Sequence, residues 1–230
     1  MPAAVLVSSK SAARLILGRP WRWIQTVTSR AIFARGQLDT SRSIGLDELG
    51  VAAPDRGEYA PSGWLFARRM LRGCSITRDD VFADIGSGQG RMVYMAARSY
   101  PFGRVIGVEI APDLNAVARE NIDRTRSKLR CKNVEFVTID ATQWEIPDDL
   151  THIYMFNPLE GEIFRQVLAN IILSLDRHPR ALRLFYAHPR HTDDVLATGR
   201  FRLVRTTTGL RRDIPLYRID IFESKGLGVA

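Results

Sequence analysis

Cysteine is almost absent from this chain: Cys74 and Cys131 are the only two in 230 residues. So few exclude a disulfide scaffold and a cysteine-based metal cluster, and they point to a reducing compartment, read as the cytoplasm. Long apolar runs are lacking too. "AAVLV" and "ARLILG" near the start are short and are interrupted by Lys10, Ser11 and Arg14. A membrane span needs about 20 apolar residues in succession. A secretory signal needs a basic region, one apolar block and a small-residue cleavage site in that order. The four histidines show no histidine–carboxylate spacing of the kind that holds a metal. Acids are scarce at one end: before position 43, Lys10, Arg14, Arg19, Arg22, Arg30, Arg35 and Arg42 face only Asp39.

What is present is ordinary for a folded chain, with 45% hydrophobic and 25% charged residues. The length suits one well-buried domain plus an appendage. A net charge of +8, carried mainly by arginine, favours nucleic acid, acidic protein or a lipid surface without choosing among them. A solubilising arginine-rich surface is the plainer reading of that charge and the preferred one. Residues 1–58 read as a basic N-terminal helical extension: Leu15, Ile16, Trp21, Trp23, Ile24, Val27, Ile32 and Phe33 recur near helical spacing, and Pro20 breaks or restarts the helix. A polar linker, "GVAAPDRGEYAP", closes it. Residues 59–230 form the main domain.

From Val81 a regular alternation takes over. Strand-like runs fall at Val81–Ile85, Arg104–Ile110, Val134–Asp140, His152–Asn157 and Leu182–Ala187, with helix-like runs at Arg91–Ser99, Pro112–Leu129 and Glu160–Asp176 between them. Phe201–Thr208 and Leu216–Phe222, joined by "GLRRDIP", read as a closing hairpin. The expectation is an α/β fold: a Rossmann-like, seven-stranded, mostly parallel sheet with a terminal antiparallel hairpin and helices on both faces.

The first strand runs into "ADIGSGQGR", which sets Asp84, Gly86, Ser87, Gly88 and Gly90 in one bend. Such a bend exposes backbone N–H groups, and glycine lets a ligand approach them. A phosphate-binding P-loop needs Gly-Lys-Ser/Thr at its end, and none follows. A dinucleotide fingerprint needs its third glycine at position 91, where Arg91 stands. Asp84 would repel a pyrophosphate and attract an ammonium, which suits an adenosyl amino acid. "VIGVEI" puts Glu109 at the next strand's carboxyl end, where a carboxylate accepts from ribose hydroxyls. "FVTIDAT" puts Asp140 at the third, within reach of an adenine amino group. As a helix cap or a solvated loop acid, each would be unremarkable alone.

With these motifs the chain, from about Tyr59 onward, resembles the class I S-adenosylmethionine-dependent methyltransferases. The resemblance implies S-adenosylmethionine as cofactor, held at its methionine end by Asp84 and the glycine loop, at its ribose by Glu109 with neighbouring Ile110, and at its adenine by Asp140 with Ala141. An aromatic-x-Pro-Ser segment closes over the cofactor in related enzymes, which makes Tyr59 and Ser62 lid candidates. The layout is similar to small bacterial methyltransferases and, more distantly, to histone lysine methyltransferases lacking a SET domain.

The fourth strand ends in "FNPLEGEIF". Asn157 and the carbonyl held by Pro158 offer two acceptors that would aim an amine's lone pair at a methyl. In the family, Asn-Pro-Pro-aromatic here marks enzymes acting on planar amines; this chain has Leu159 and no following aromatic. Glu160, His188 and His191 are base candidates for a hydroxyl acceptor, and Glu160 or Glu162 equally suits a helix start. His152 and His178 read as structural or solvent-facing. The resulting expectation is methyl transfer to a nitrogen or oxygen acceptor, a small molecule or protein. An NAD(P)-dependent oxidoreductase is one alternative. A non-catalytic protein that uses the basic N-terminus on nucleic acid or, through Trp21 and Trp23, on a membrane is the other. Aromatic and basic residues are not interleaved on any expected strand as single-strand binders require.

Overall fold

A computed structural model describes residues 70–156, 159–207 and 218–225. The extension 1–58, Tyr59, Ser62, Asn157, Pro158 and the "GLRRDIP" turn lie outside them.

Val81–Ile85 (β1) is buried at every position, as a strand covered on both faces must be. Its alternating side chains serve two separate cores. Val81, Ala83 and Ile85 pack with Phe164, Val167 and Ile171, whereas Phe82 packs with Met92, Met95 and Ile122. The first group of partners belongs to Gly161–Arg177 (α3), the second to Arg91–Ser99 (α1) and Pro112–Thr125 (α2). The remaining strands are Arg104–Glu109 (β2), Val134–Thr138 (β3), His152–Phe156 (β4), Arg183–Ala187 (β5), Phe201–Thr207 (β6) and Ile219–Ser224 (β7). Their order is β3-β2-β1-β4-β5-β7-β6, and β7 alone runs against the other six.

The expected α/β architecture and closing pair of strands are therefore observed. β2 stops one residue and β3 two residues before the expected end, which leaves Glu109 as the last residue of β2 and places Asp140 in the loop after β3. The expected long second helix ends at Thr125 and tightens into a 3-10 turn over Arg126–Lys128. A short helix, Thr192–Ala197 (α4), was not expected. The chain leaves β1 toward β2 on one side and later returns to β4 on the other. That reversal opens a crevice at the carboxyl ends of β1 and β4, where open parallel sheets bind ligands. Among the described residues no helix is long and apolar enough to cross a membrane, and no group of three His, Cys, Asp or Glu could hold a metal ion.

Candidate active site

The bend after β1 is built by left-handed backbone: Gly86, Gly88 and Gly90 have φ of 78°, 52° and 77°. Gly86 and Ser87 N–H donate to the Val108 carbonyl at 2.9 and 3.0 Å, which hangs the bend on β2. Gly90 has a different duty from the other two. Its N–H donates to the Ser87 carbonyl, and a Cβ there would lie 2.9 Å from Ala118 and 3.1 Å from Phe136. It is the point where α2 and β3 close on the bend.

Asp84 is 3% exposed, and no described residue donates a hydrogen bond to it. Burial, and secondarily the nearby Glu109 charge, push its carboxyl well above the ordinary carboxylate range. Glu109, also buried, turns its carboxylate into the backbone. Oε2 accepts from Gly88 N–H at 2.8 Å, and Oε1 from Ile110 and Ala111 N–H at 2.9 and 3.0 Å. A carboxylate has roughly four lone-pair sites, so Oε2 keeps one for a ligand hydroxyl. Glu109 thus ties the glycine bend to its own strand end, a duty additional to the expected ribose contact. Asp140 Oδ1 accepts from the Thr142 N–H and hydroxyl at 3.0 and 2.9 Å, and its neighbour Ala141 is half-buried.

Several residues that the sequence did not single out brace the backbone around these acids. Asn115, fully buried on α2, donates to the Val137 carbonyl at 3.0 Å and to Thr138 Oγ1 at 2.8 Å. Asn121, one and a half turns on, donates to the Gln89 carbonyl at 3.2 Å. Asn170 of α3 donates to the Thr142 carbonyl at 2.8 Å. Their only signal was a polar side chain on an apolar helix face.

On the other side of the crevice, the Arg190 guanidinium pairs with Glu160, so that carboxylate is engaged and is not a ready base. Glu160 takes the N-cap position of α3 without a side-chain cap bond, and Glu162 pairs with Arg165 at 2.9 Å. His188 stacks on Phe156 with ring centroids 6.2 Å apart; burial, then Arg190, lower its pKa, keeping it neutral. This aromatic pair lies beside the end of β4, where no aromatic follows Asn157-Pro158 in the sequence. His191 stacks on Phe164 at 4.7 Å and meets Asp194 at 3.1 Å through Nδ1. His152 is buried at the other end of β4, and exposed His178 meets Asp148 at 3.0 Å.

These acceptors suit an adenosyl amino acid. Asp84 is buried with no hydrogen-bond donor among the described residues, two further acids stand at successive strand ends, and no basic side chain lies between Asp84 and Gly90 to receive a phosphate.

Residues 82–177 match the family model for the methyltransferase domain. The chain is 33% identical over 87 residues to a protein-lysine N-methyltransferase of Saccharolobus islandicus, covering 37% of this chain and 54% of that protein. It is 33% identical over 78 residues to the H3 lysine-79 specific histone-lysine N-methyltransferase of Drosophila melanogaster, covering 34% of this chain and 4% of that protein. The chain therefore spans about half the length of the first relative and a small part of the second. An RNA methyltransferase from Salinibacter ruber in complex with S-adenosyl-L-homocysteine shares the fold, with a TM-score of 0.53 at 22% identity over 74% of this chain and 97% of that one. The domain match across the glycine bend and the observed sheet order support a class I S-adenosylmethionine-dependent methyltransferase.

Proposed function

We propose that this protein transfers a methyl group from S-adenosylmethionine to an amine nitrogen, on a protein side chain or a small molecule, at the crevice between β1 and β4. The observation that carries the reading is Asp84: a buried carboxylate, without a hydrogen-bond donor among the described residues, that an ammonium would satisfy and a diphosphate would not. Gly86 and Gly88 let the amino acid end approach the backbone, Glu109 offers Oε2 to the ribose, and Asp140 with Ala141 borders the adenine. Tyr59 and Ser62 are assigned to the lid. The bound cofactor supplies an electrophilic methyl on a sulfonium. The protein's work is then to hold the nucleophile in line and exclude water.

Asn157 and the Pro158 carbonyl are assigned to the acceptor amine, whose lone pair they would orient. Glu160, bound by Arg190, serves to shape this wall rather than to take a proton, and neutral His188 offers an aromatic face with Phe156. With Glu160 engaged by Arg190, this wall suits an amine better than a hydroxyl. The two relatives named for lysine methylation support the same choice.

Tritiated-methyl labelling of a lysate, fractionated into protein, nucleic acid, lipid and small molecules, tests this. The expected result is alkali-stable label on protein or a small amine, reduced at least about tenfold by Asn157→Ala. Label released as methanol by mild alkali, or transfer undiminished in the variant, would overturn the acceptor assignment. Calorimetry showing no heat with either S-adenosylmethionine or its demethylated product would overturn the cofactor assignment.

A further inference from the structure

Charge is distributed unevenly over the described residues. Around β5, β7 and α3 the exposed arginines face carboxylates: Arg177 meets Asp148 at 2.8 Å, Arg202 shares Glu223 with half-buried Arg183 at 3.1 and 2.8 Å, and Arg165 meets Glu162, while half-buried Arg180 turns inward onto the Leu150 and Ser174 carbonyls. The corner formed by α2, the 3-10 turn and the start of β3 is different. Six cations stand against two acids between Arg119 and Lys132. Arg119, Arg124, Arg130 and Lys132 are exposed, and each is held by a neutral oxygen: the Phe136 carbonyl at 2.7 Å, Asn121 Oδ1 at 2.9 Å, the Ser99 carbonyl at 3.1 Å and the Arg126 carbonyl at 2.5 Å. Among the described residues none of these four has a carboxylate partner. Their positions are set by hydrogen bonds, their charges are left uncompensated, and each keeps donors to spare.

We propose that this corner grips the phosphodiester backbone of a nucleic-acid duplex, without reading its sequence. The apolar side chains interspersed with the cations, Ile122, Leu129 and Cys131, are all buried. A protein interface draws its affinity from apolar and aromatic anchors, and a membrane surface takes up apolar side chains; neither is offered here. The absence of an exposed aromatic also excludes base stacking, which leaves phosphates as the ligand the corner fits. The 3-10 turn and the residues before β3 lie at the amino ends of the parallel strands, the edge opposite the glycine bend. The corner is therefore an anchor and not the acceptor site, and it stands whether the methylated amine is on a protein or a small molecule.

The test is fluorescence anisotropy of the full chain with a fluorescein-labelled mixed-sequence DNA duplex of about 24 base pairs, over 50–200 mM KCl. Two triple variants lose equal charge: Arg124→Gln/Arg130→Gln/Lys132→Gln at the corner, and Arg165→Gln/Arg177→Gln/Arg202→Gln among the paired arginines. Circular dichroism verifies that both fold. With about 0.9 counterion released per phosphate contact, the corner variant is expected to lower the log–log salt slope by about two to three and the affinity at 100 mM salt at least about tenfold. The paired-arginine variant is expected to change affinity by no more than about twofold. Equal losses in both variants would reduce the effect to net charge and overturn the proposal. So would wild-type binding weaker than about 0.1 mM near physiological salt, or equally tight binding to phosphatidylserine vesicles that depends on the same three residues.

Discussion

Asp84 and Glu109 stand at neighbouring strand ends, yet their surroundings differ. Glu109 accepts three backbone N–H groups; Asp84 accepts none from described residues and is buried. An ionised Asp84 is therefore a cost in the cofactor-free protein and an asset once a cation arrives. The sign follows from linkage. Its folded pKa is raised above 3.8, so its stabilising contribution is complete below the unfolded value and is lost as pH rises through the folded one. At neutral pH Asp84→Asn should thus melt higher than the wild type without ligand, by about 2–4 °C for each kcal/mol relieved. The same substitution should weaken S-adenosylmethionine about 10- to 100-fold, the worth of a hydrogen bond to a charged group. Differential scanning calorimetry and titration calorimetry measure the two effects. A variant that melts no higher and binds as before would remove Asp84 from the site. Wild-type affinity should also fall on acidification at a pH above the ordinary carboxylate range, since protonation removes the charge the ammonium needs.

At the scale of elements, α2 organises the site without entering it. Asn115 anchors it to the end of β3, Asn121 holds the Gln89 carbonyl, and Ala118 meets Gly90. Asn121→Ala leaves a buried carbonyl short of a donor, at a cost of about 1–3 kcal/mol. It should raise the KM for the cofactor several-fold with little change in kcat or in the acceptor KM. A change confined to kcat would contradict this positioning role. Gly90→Ala adds about 1–2 kcal/mol for left-handed backbone to the contact with Ala118, and steady-state kinetics should again show the loss in cofactor KM. Why the sequence revealed some of this and hid the rest is physical. Strand-helix alternation is written in hydrophobic periodicity, so β1, β4 and α1 lie where expected. The six-residue α4 is too short to carry a period. The acids were legible from their places after apolar runs. That Glu109 turns into Gly88 N–H, 21 residues away in the chain, or that Arg190 covers Glu160, depends on how strands and loops meet. No local pattern records such partners.

Across the whole molecule, the two edges of the sheet divide the labour, and pH distinguishes them. The carboxyl edge carries Asp84; the amino edge carries His152, buried between Phe102 and Phe185, with Nδ1 2.7 Å from Thr151 Oγ1 and 3.7 Å from Asp80. Burial lowers the His152 pKa from 6.5 to about 4, with Asp80 opposing and Arg183 adding to the shift. Between those values the unfolded chain binds the extra proton, so His152 makes stability fall as pH drops from about 6.5 toward about 4. Asp80, whose pKa is lowered from 3.8, contributes its loss only below that window. Asp84 acts with the opposite sign, since its protonation on acidification relieves a buried charge. The urea midpoint of the wild type should therefore decline gently through this range. In Asp84→Asn the compensating gain is absent, and the decline should steepen. In His152→Gln it should flatten or reverse. Parallel declines in the wild type and Asp84→Asn would mean that Asp84 titrates as an ordinary carboxylate. An unchanged decline in His152→Gln would place the acid sensitivity in another group. Because the two groups sit on opposite edges with no shared partner, the double variant should equal the sum of the single effects within about 0.5 kcal/mol. Additivity of that kind would set the proposed cofactor edge, where a buried charge costs stability, apart from the opposite edge that holds the sheet together.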